Sequence, residues 1–122
     1  MAAPNLLNLG TITGKTAKTV LTTSDVEILE NAASSNTVLK INTITLANID
    51  GASTPTANVA ITDEDGNSPI YIVKTITVPP DSTIIVIDKN TPIYLEEDMS
   101  IYAKASIGSD VDIIISYEIL AT

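Results

Sequence analysis

The sequence is characterised first by the residue types that it lacks. Among its 122 residues there is no Cys, His, Trp or Phe, and all six basic residues are Lys. Without Cys or His, neither a Cys–His nor a Ser–His pair can activate a nucleophile, and no thiolate or imidazole can bind a metal. The absence of Cys also excludes disulfides. The composition therefore predicts a protein that is not an enzyme, with no catalytic residues and no cofactor.

Positive charge is scarce as well. Fifteen acidic residues against six Lys give a net charge of −9, and most of that excess lies in the last third of the chain. A surface of this sign repels phosphate backbones, and the chain has no Arg for bidentate contacts to bases. Nucleic acid is therefore not an expected partner. Ordinary solubility would also produce an acidic exterior, so the charge alone identifies no ligand.

Long apolar runs are absent too. No stretch approaches the roughly 18 residues needed to cross a bilayer, so no membrane partner is expected. Residues 1–10 have no basic region and no continuous apolar segment, so they do not read as a secretory signal. Together with the lack of Cys, this favours assembly inside a cell.

What the sequence has in excess is β-branched residues, with 19 Ile, 17 Thr and 8 Val. Such side chains are stiff and pack well on a pleated surface. Apolar and polar residues alternate with a period of two, and turn residues interrupt the alternation about every 8–12 residues. This pattern predicts an all-β fold: a single antiparallel β-sandwich, jelly-roll-like, with eight or nine short strands.

Two segments carry more specific predictions. In Val38–Asn48 the apolar positions change parity, which predicts a bulge or a bend at Asn42–Thr43. The segment Thr83–Asp88 is apolar on both faces, which favours a central position in a sheet.

The first 14 residues differ from the rest of the chain. They are uncharged, contain Gly and Pro, and carry the apolar side chains Leu6, Leu7, Leu9 and Ile12. We interpret residues 1–14 as an N-terminal apolar arm and residues 15–122 as one sandwich domain. An apolar terminus needs a cover, which either its own domain or a neighbouring subunit can provide. The four apolar residues are therefore candidate interface residues.

One acidic turn matches part of the sequence pattern of a calcium-binding loop. Asp63, Asp65 and Asn67 match the start of a calcium loop, but the sixth and twelfth positions are Ser68 and Lys74 instead of Gly and Glu. An Asx-rich hairpin explains the run better than a weak surface Ca²⁺ site.

Paired carboxylates of a glycosidase are formally possible, but sugar sites use aromatic platforms, and this chain has no Trp or Phe.

Two of the four Tyr residues are further interface candidates. Tyr71 and Tyr102 have the parity opposite to the aliphatic positions of their strands, so they face either outward or into a second layer. Tyr is enriched at interfaces because one end of the side chain is apolar and the other polar. A role in capping the edge of the core is the alternative.

Several strand and turn patterns are similar to those of a known protein family. Residues 78–106 read VPPDSTIIVIDKNTPIYLEEDMSIYAKAS and residues 110–120 read DVDIIISYEIL, while residues 38–51 and 57–63 carry related strand patterns. They resemble small β-sandwich virion structural proteins of tailed bacteriophages, of the type that infects marine bacteria such as cyanobacteria. The resemblance covers nearly the whole chain but contains no functional constellation, so no residue roles carry over.

The resemblance implies a non-enzymatic structural subunit that is located in the virion after assembly in the host cytoplasm. We expect a capsid decoration subunit that binds the outer head surface and self-associates, with the major capsid protein as partner and no small-molecule substrate. A neck, collar or tail component, contacting neck or tail proteins, is the alternative. An adhesive or carbohydrate-binding sandwich module is a more distant one. If the arm serves assembly, removing residues 1–13 should leave a folded domain that no longer joins particles.

Overall fold

The alternation in the sequence corresponds to β-strands along most of the chain. A computed structural model describes residues 4–122, and this part of the chain contains nine strands and no helix. In chain order the strands are β1 (Thr11–Val20), β2 (Val26–Asn31), β3 (Thr37–Asn48), β4 (Thr56–Asp63), β5 (Ile70–Thr77), β6 (Thr83–Ile87), β7 (Ile93–Leu95), β8 (Met99–Ala105) and β9 (Val111–Ala121). The predicted all-β class is confirmed. Over residues 4–122, no helical segment of the length and apolarity needed to cross a membrane is found.

The strands form two antiparallel sheets that pack face to face. The first sheet has the order β1-β9-β3-β6, with β7 also paired to β3, and the second has the order β2-β8-β4-β5. In each sheet an early strand therefore pairs with a late one: β1 pairs with β9, and β2 pairs with β8. This is the wrapping of a jelly roll, in which a long antiparallel ribbon folds over itself into two layers. The predicted jelly-roll-like sandwich is confirmed.

The core between the sheets is almost entirely aliphatic. Its largest fully buried side chains come from both sheets and include Ile41, Ile44, Leu46, Leu95, Ile101, Ile113 and Ile115. Each fully buried side chain of this size contributes about 1.5–3 kcal/mol through removal of apolar surface from water. The β-branched composition thus serves both strand formation and core packing.

The parity change in β3 is a bulge. Pairing of β3 with β9 shifts register between Ile41 and Thr43, and the side chains on either side of the shift, Ile41 and Ile44, are both fully buried. One extra residue turns the alternation over, so both halves of the strand direct apolar side chains into the core. The first half pairs with β7 and the second with β6. The bulge predicted at Asn42–Thr43 is confirmed.

The central position predicted for Thr83–Asp88 is wrong. All of these residues except Asp88 form β6, which lies at the edge of the first sheet and pairs with β3. Ile87 is buried, whereas Ile85 is 65% exposed. Ile85 therefore belongs to an exposed aliphatic surface and not to a strand that is covered on both faces.

Two buried asparagines join the sheets through hydrogen bonds. Asn31 in the second sheet donates from Nδ2 to the carbonyls of Thr37 (3.0 Å) and Leu95 (2.9 Å), which belong to the first sheet. Asn48, at the end of β3, donates to the carbonyl of Val78 (3.0 Å), which follows the last residue of β5 in the second sheet. Both side chains are at most 2% exposed. These bonds tie the two sheets together and satisfy the buried amide groups of both side chains.

Candidate interface surfaces

The apolar N-terminal segment is partly incorporated into the sandwich. Residues 11–14 belong to β1, where Ile12 pairs with Leu120 of β9. The described part of the chain ahead of the sandwich is therefore residues 4–10, and the first three residues of the predicted arm lie outside the described residues. A deletion of residues 1–13 would remove three ladder pairs of β1, so substitutions within residues 4–10 are the better test of this segment.

The sequence of residues 4–10 produces a defined turn. The Asn5 side chain accepts a hydrogen bond from the amide of Leu7 (2.9 Å), and the amide of Asn8 donates to the carbonyl of Asn5 (3.0 Å). The amide of Gly10 donates to the carbonyl of Ala121 (2.9 Å), which extends the β1–β9 ladder by one bond. Asn5 thus supplies the local capping that short polar side chains provide in turns.

This turn presents leucine side chains to solvent. Leu7 is 92% exposed and Leu6 is 48% exposed, while Leu9 is half-buried. Ile12, the fourth predicted residue, is 59% exposed on the outer side of β1. Covering a fully exposed Leu is worth about 1.5–3 kcal/mol, so the segment carries a favourable binding energy that its own domain does not use.

The fold brings Tyr71 and Tyr102 together. Tyr71 on β5 and Tyr102 on β8 are both register partners of Ala60 on β4, so they flank one residue on the outer side of the second sheet. Tyr71 is 43% exposed, and the Lys74 ammonium lies 5.0 Å from the centre of its ring, which is cation–π distance. Tyr102 is half-buried.

These candidate residues form two separate surfaces. The N-terminal segment adjoins β1 and β9 in the first sheet, whereas the two tyrosines lie on the outer side of the second sheet. The fold thus groups the tyrosines with each other and leaves the leucines apart from them.

Acidic side chains surround Tyr102. The Ser100 hydroxyl donates to the Glu27 carboxylate (3.0 Å), next to Tyr102 in the same face. Repulsion by Glu27, followed by burial and by Glu64 and Asp65, raises the pKa of the Glu30 carboxyl. Burial, and then the negative charge of Glu27, raises the pKa of the Tyr102 hydroxyl. The outer side of the second sheet is therefore electronegative around its tyrosines and would disfavour an anionic partner.

The β4–β5 turn requires glycine at position 66, because the backbone there has a positive φ and the Tyr102 ring leaves no room for a side chain. The φ of Gly66 is +84°, and a Cβ atom there would lie 2.9 Å from Cζ of Tyr102. We expect Gly66→Ala to lower the free energy of unfolding by about 1–3 kcal/mol, through backbone strain and displacement of the ring. Urea unfolding followed by tyrosine fluorescence measures this change. Gly14→Ala is the matched control, because no atom lies within 4 Å of a Cβ built there; an equal loss in both variants would contradict the expectation.

The acidic turn at Asp63 is held by its own backbone. Asp63 Oδ1 accepts hydrogen bonds from the amides of Asp65 (3.0 Å) and Asn67 (2.8 Å), and the Asp63 amide donates to the carbonyl of Asn67 (3.0 Å). This is the arrangement of an Asx turn closing a hairpin. Within residues 4–122, no group of three or more Asp, Glu, His or Cys is arranged to hold a metal ion.

Exposed aliphatic side chains on the first sheet were missed by the sequence reasoning. Ile114 in the inner strand β9 is 44% exposed, Val20 is 46% exposed, and Ile85 is 65% exposed. The signal available in the sequence was the occurrence of consecutive aliphatic residues in Ile84–Ile87 and Ile113–Ile115, in which both faces of a strand are apolar. The chain matches no protein-family model and no curated protein sequence.

Proposed function

We propose that the protein is a non-enzymatic structural subunit of a tailed-bacteriophage virion, which decorates the outer surface of the head. The observation that carries this proposal is the turn at residues 4–10, which exposes Leu6 and Leu7 ahead of a well-packed sandwich. Leu6 and Leu7 are adjacent in the chain and exposed, at 48% and 92%, so a partner that covers both removes apolar surface from water.

Three further observations support a structural role. The core is aliphatic and the fold is a jelly roll, an architecture found in capsid domains. Cys and His, which form the Cys–His and Ser–His pairs of many nucleophilic enzymes, are missing from the sequence. The strand and turn patterns over most of the chain resemble small virion proteins of tailed phages. Each observation favours a component that acts through its surface.

In this proposal the N-terminal turn anchors the subunit to the capsid. Leu6 and Leu7 enter an apolar depression on the major capsid protein, and the loss of their exposed surface provides about 2–5 kcal/mol per subunit. That is weak for a single contact. Self-association of the subunit would link several such contacts and raise their combined affinity, as expected for multivalent binding.

Localisation tests the proposal directly. An antibody raised against the purified protein would be applied, with immunogold detection, to purified particles of the tailed phage whose genome encodes this chain. We expect label on the outer surface of the heads. Absence of the protein from purified particles would overturn the virion assignment, and label confined to necks or tails would overturn the decoration role.

Substitution of the two leucines tests the anchoring role of the segment. We expect Leu6→Ser with Leu7→Ser to reduce binding to particles lacking the protein by at least about tenfold, because the apolar contact is lost. The urea midpoint of the isolated domain should stay unchanged. Ile70→Ser is the matched control, since Ile70 is 73% exposed on β5, away from the segment. Unchanged binding of the leucine variant would contradict the anchoring role.

A further inference from the structure

The outer side of the first sheet differs in charge from the rest of the molecule. We call this surface the neutral face. Its strands direct Lys18 on β1, Lys40 on β3, and Asp112 and Glu118 on β9 outward, two charges of each sign. Lys89 lines the same surface beside Glu118, so this face carries none of the acidic excess of the chain. The chain as a whole has a net charge of −9, which therefore resides on the other surfaces. Two copies of such a chain repel each other in most orientations, and the neutral face is where this repulsion is smallest.

The neutral face also carries two exposed aliphatic side chains in one row across the sheet, on either side of Thr45. Ile114 pairs with Thr45, and Thr45 pairs with Ile85, so these three residues lie side by side across β9, β3 and β6. Lys18 of β1 continues the row on the other side of Ile114. Val20 lies in the adjacent row, opposite Asp112. A flat surface of Ile, Val and Thr packs well against a surface of the same kind.

The sheet edges are less suitable for association than this face. On β1 the exposed edge carries Lys15 and Lys18, and on β2 it carries Glu27 and Glu30 next to a register shift. The pairing of β5 with β4 shifts register twice, and Pro92 separates the two short strands at the remaining edge. Charges, bulges and prolines are features that prevent edge-to-edge pairing.

One polar atom on the neutral face has no partner. Asp112 Oδ1 is buried and accepts no hydrogen bond from the described residues. An unpaired buried carboxylate oxygen is costly, and a cationic donor would satisfy it.

We propose that the neutral face is the self-association surface of the protein and that its occupant is the same face of a second copy. Strands β1, β3 and β9 have 10 to 12 residues, and β6 and β7 both lie along β3. At a strand spacing of about 4.8 Å this face presents roughly 600 Å². Two copies then bury about 1,200 Å², which reaches the size of specific interfaces. A two-fold contact is closed, because each copy uses the same surface. The inference rests on the self-association in the proposed function and names its location.

Sedimentation velocity of the isolated protein over a wide concentration range tests this inference. We expect a species of twice the 12.8 kDa chain mass to increase with concentration. In the double variant Ile85→Asp with Ile114→Asp, the dissociation constant should rise at least about tenfold, because two apolar contacts become charged. Ile70→Asp, which adds the same charge to a 73% exposed Ile of the second sheet, should leave it unchanged. A wild-type chain that stays monomeric, or an equal effect of Ile70→Asp, would overturn the proposal.

A cross-linking experiment tests the same contact without introducing charged side chains. Because the natural chain has no Cys, Ile114→Cys and Ile70→Cys each provide one thiol for a short bifunctional maleimide. We expect a cross-linked dimer from Ile114→Cys at several times the yield from Ile70→Cys, and equal yields would contradict the neutral-face contact. Both measurements use isolated protein without particles. They can therefore fail while head labelling succeeds, or succeed while head labelling fails.

Discussion

Replacing Ile113 by alanine is expected to lower the free energy of unfolding by about 3–4 kcal/mol. Ile113 is fully buried in β9, and its register partner on β3, Leu46, is fully buried as well. Removing three methyl or methylene carbons loses their transfer free energy and leaves a cavity that a close-packed core fills only in part. For a chain of this size, a loss of 3–4 kcal/mol removes a large fraction of the total stability.

The neighbouring residue supplies the matched control for this prediction. Ile114 is chemically identical and lies in the same strand, but it points to the other face and is 44% exposed. We expect Ile114→Ala to cost less than about 1 kcal/mol in the monomer. Urea unfolding at a protein concentration where the chain is monomeric measures both values. A cost for Ile114→Ala as large as that for Ile113→Ala would show that the inner and outer sides of β9 are assigned wrongly.

The regular part of the fold could be predicted because one physical rule dominates it. Side chains alternate across a strand, so apolar residues at every second position mark the face that points to the core. A bulge reverses this alternation, and the reversal is visible in the sequence. The change of alternation therefore locates the register shift between Ile41 and Thr43 from the sequence alone.

Consecutive aliphatic residues could not be interpreted by the same rule. When both faces of a strand are apolar, alternation does not distinguish a strand covered on both sides from an edge strand with an exposed apolar side. The position of β6 was therefore predicted wrongly, and Ile85 and Ile114 were not recognised as surface residues. These are the residues on which the neutral face depends, so the sequence reasoning failed where the surface has its most distinctive feature.

Contacts between residues that are far apart in the sequence could not be predicted either. Their parity identifies Tyr71 and Tyr102 as interface candidates, but they are neighbours only because β4 lies between β5 and β8. The apolar N-terminal segment was recognised from its composition, but its division between turn and strand depends on pairing with β9. Such pairings are set by the order of strands in the sheets, which local patterns do not encode.

The arrangement of these surfaces suggests a division of roles in the proposed function. In this proposal the neutral face is where copies approach each other, while the acidic residues near Tyr102 lie on the opposite side of the sandwich. A pair of subunits joined through the neutral face would therefore present its acidic surfaces outward. This keeps the negative charges of the two copies far apart, which reduces their repulsion.

The largest loss of stability is expected from Asn31→Asp. Asn31 is 1% exposed, and its Nδ2 donates to two carbonyl oxygens, those of Thr37 and Leu95. Its Oδ1 accepts from the Ser35 hydroxyl at 2.6 Å. A carboxylate of the same shape would place negative charge against both carbonyls and remove both donated bonds. We expect the free energy of unfolding at neutral pH to fall by about 3–5 kcal/mol, since an uncompensated charge is buried.

The pH dependence of this loss distinguishes charge from shape. Burial against two carbonyls raises the pKa of the introduced carboxyl above the value of about 3.9 that it has in the unfolded chain. The folded state of the variant then binds more protons, so its stability relative to wild type falls as pH rises from near 4 and recovers on acidification. Urea unfolding of both proteins between neutral pH and about pH 4 measures this difference. Asn8→Asp, which adds the same charge in the exposed N-terminal turn, should follow wild type throughout. A pH-independent loss in Asn31→Asp would mean that altered packing, and not the buried charge, is responsible.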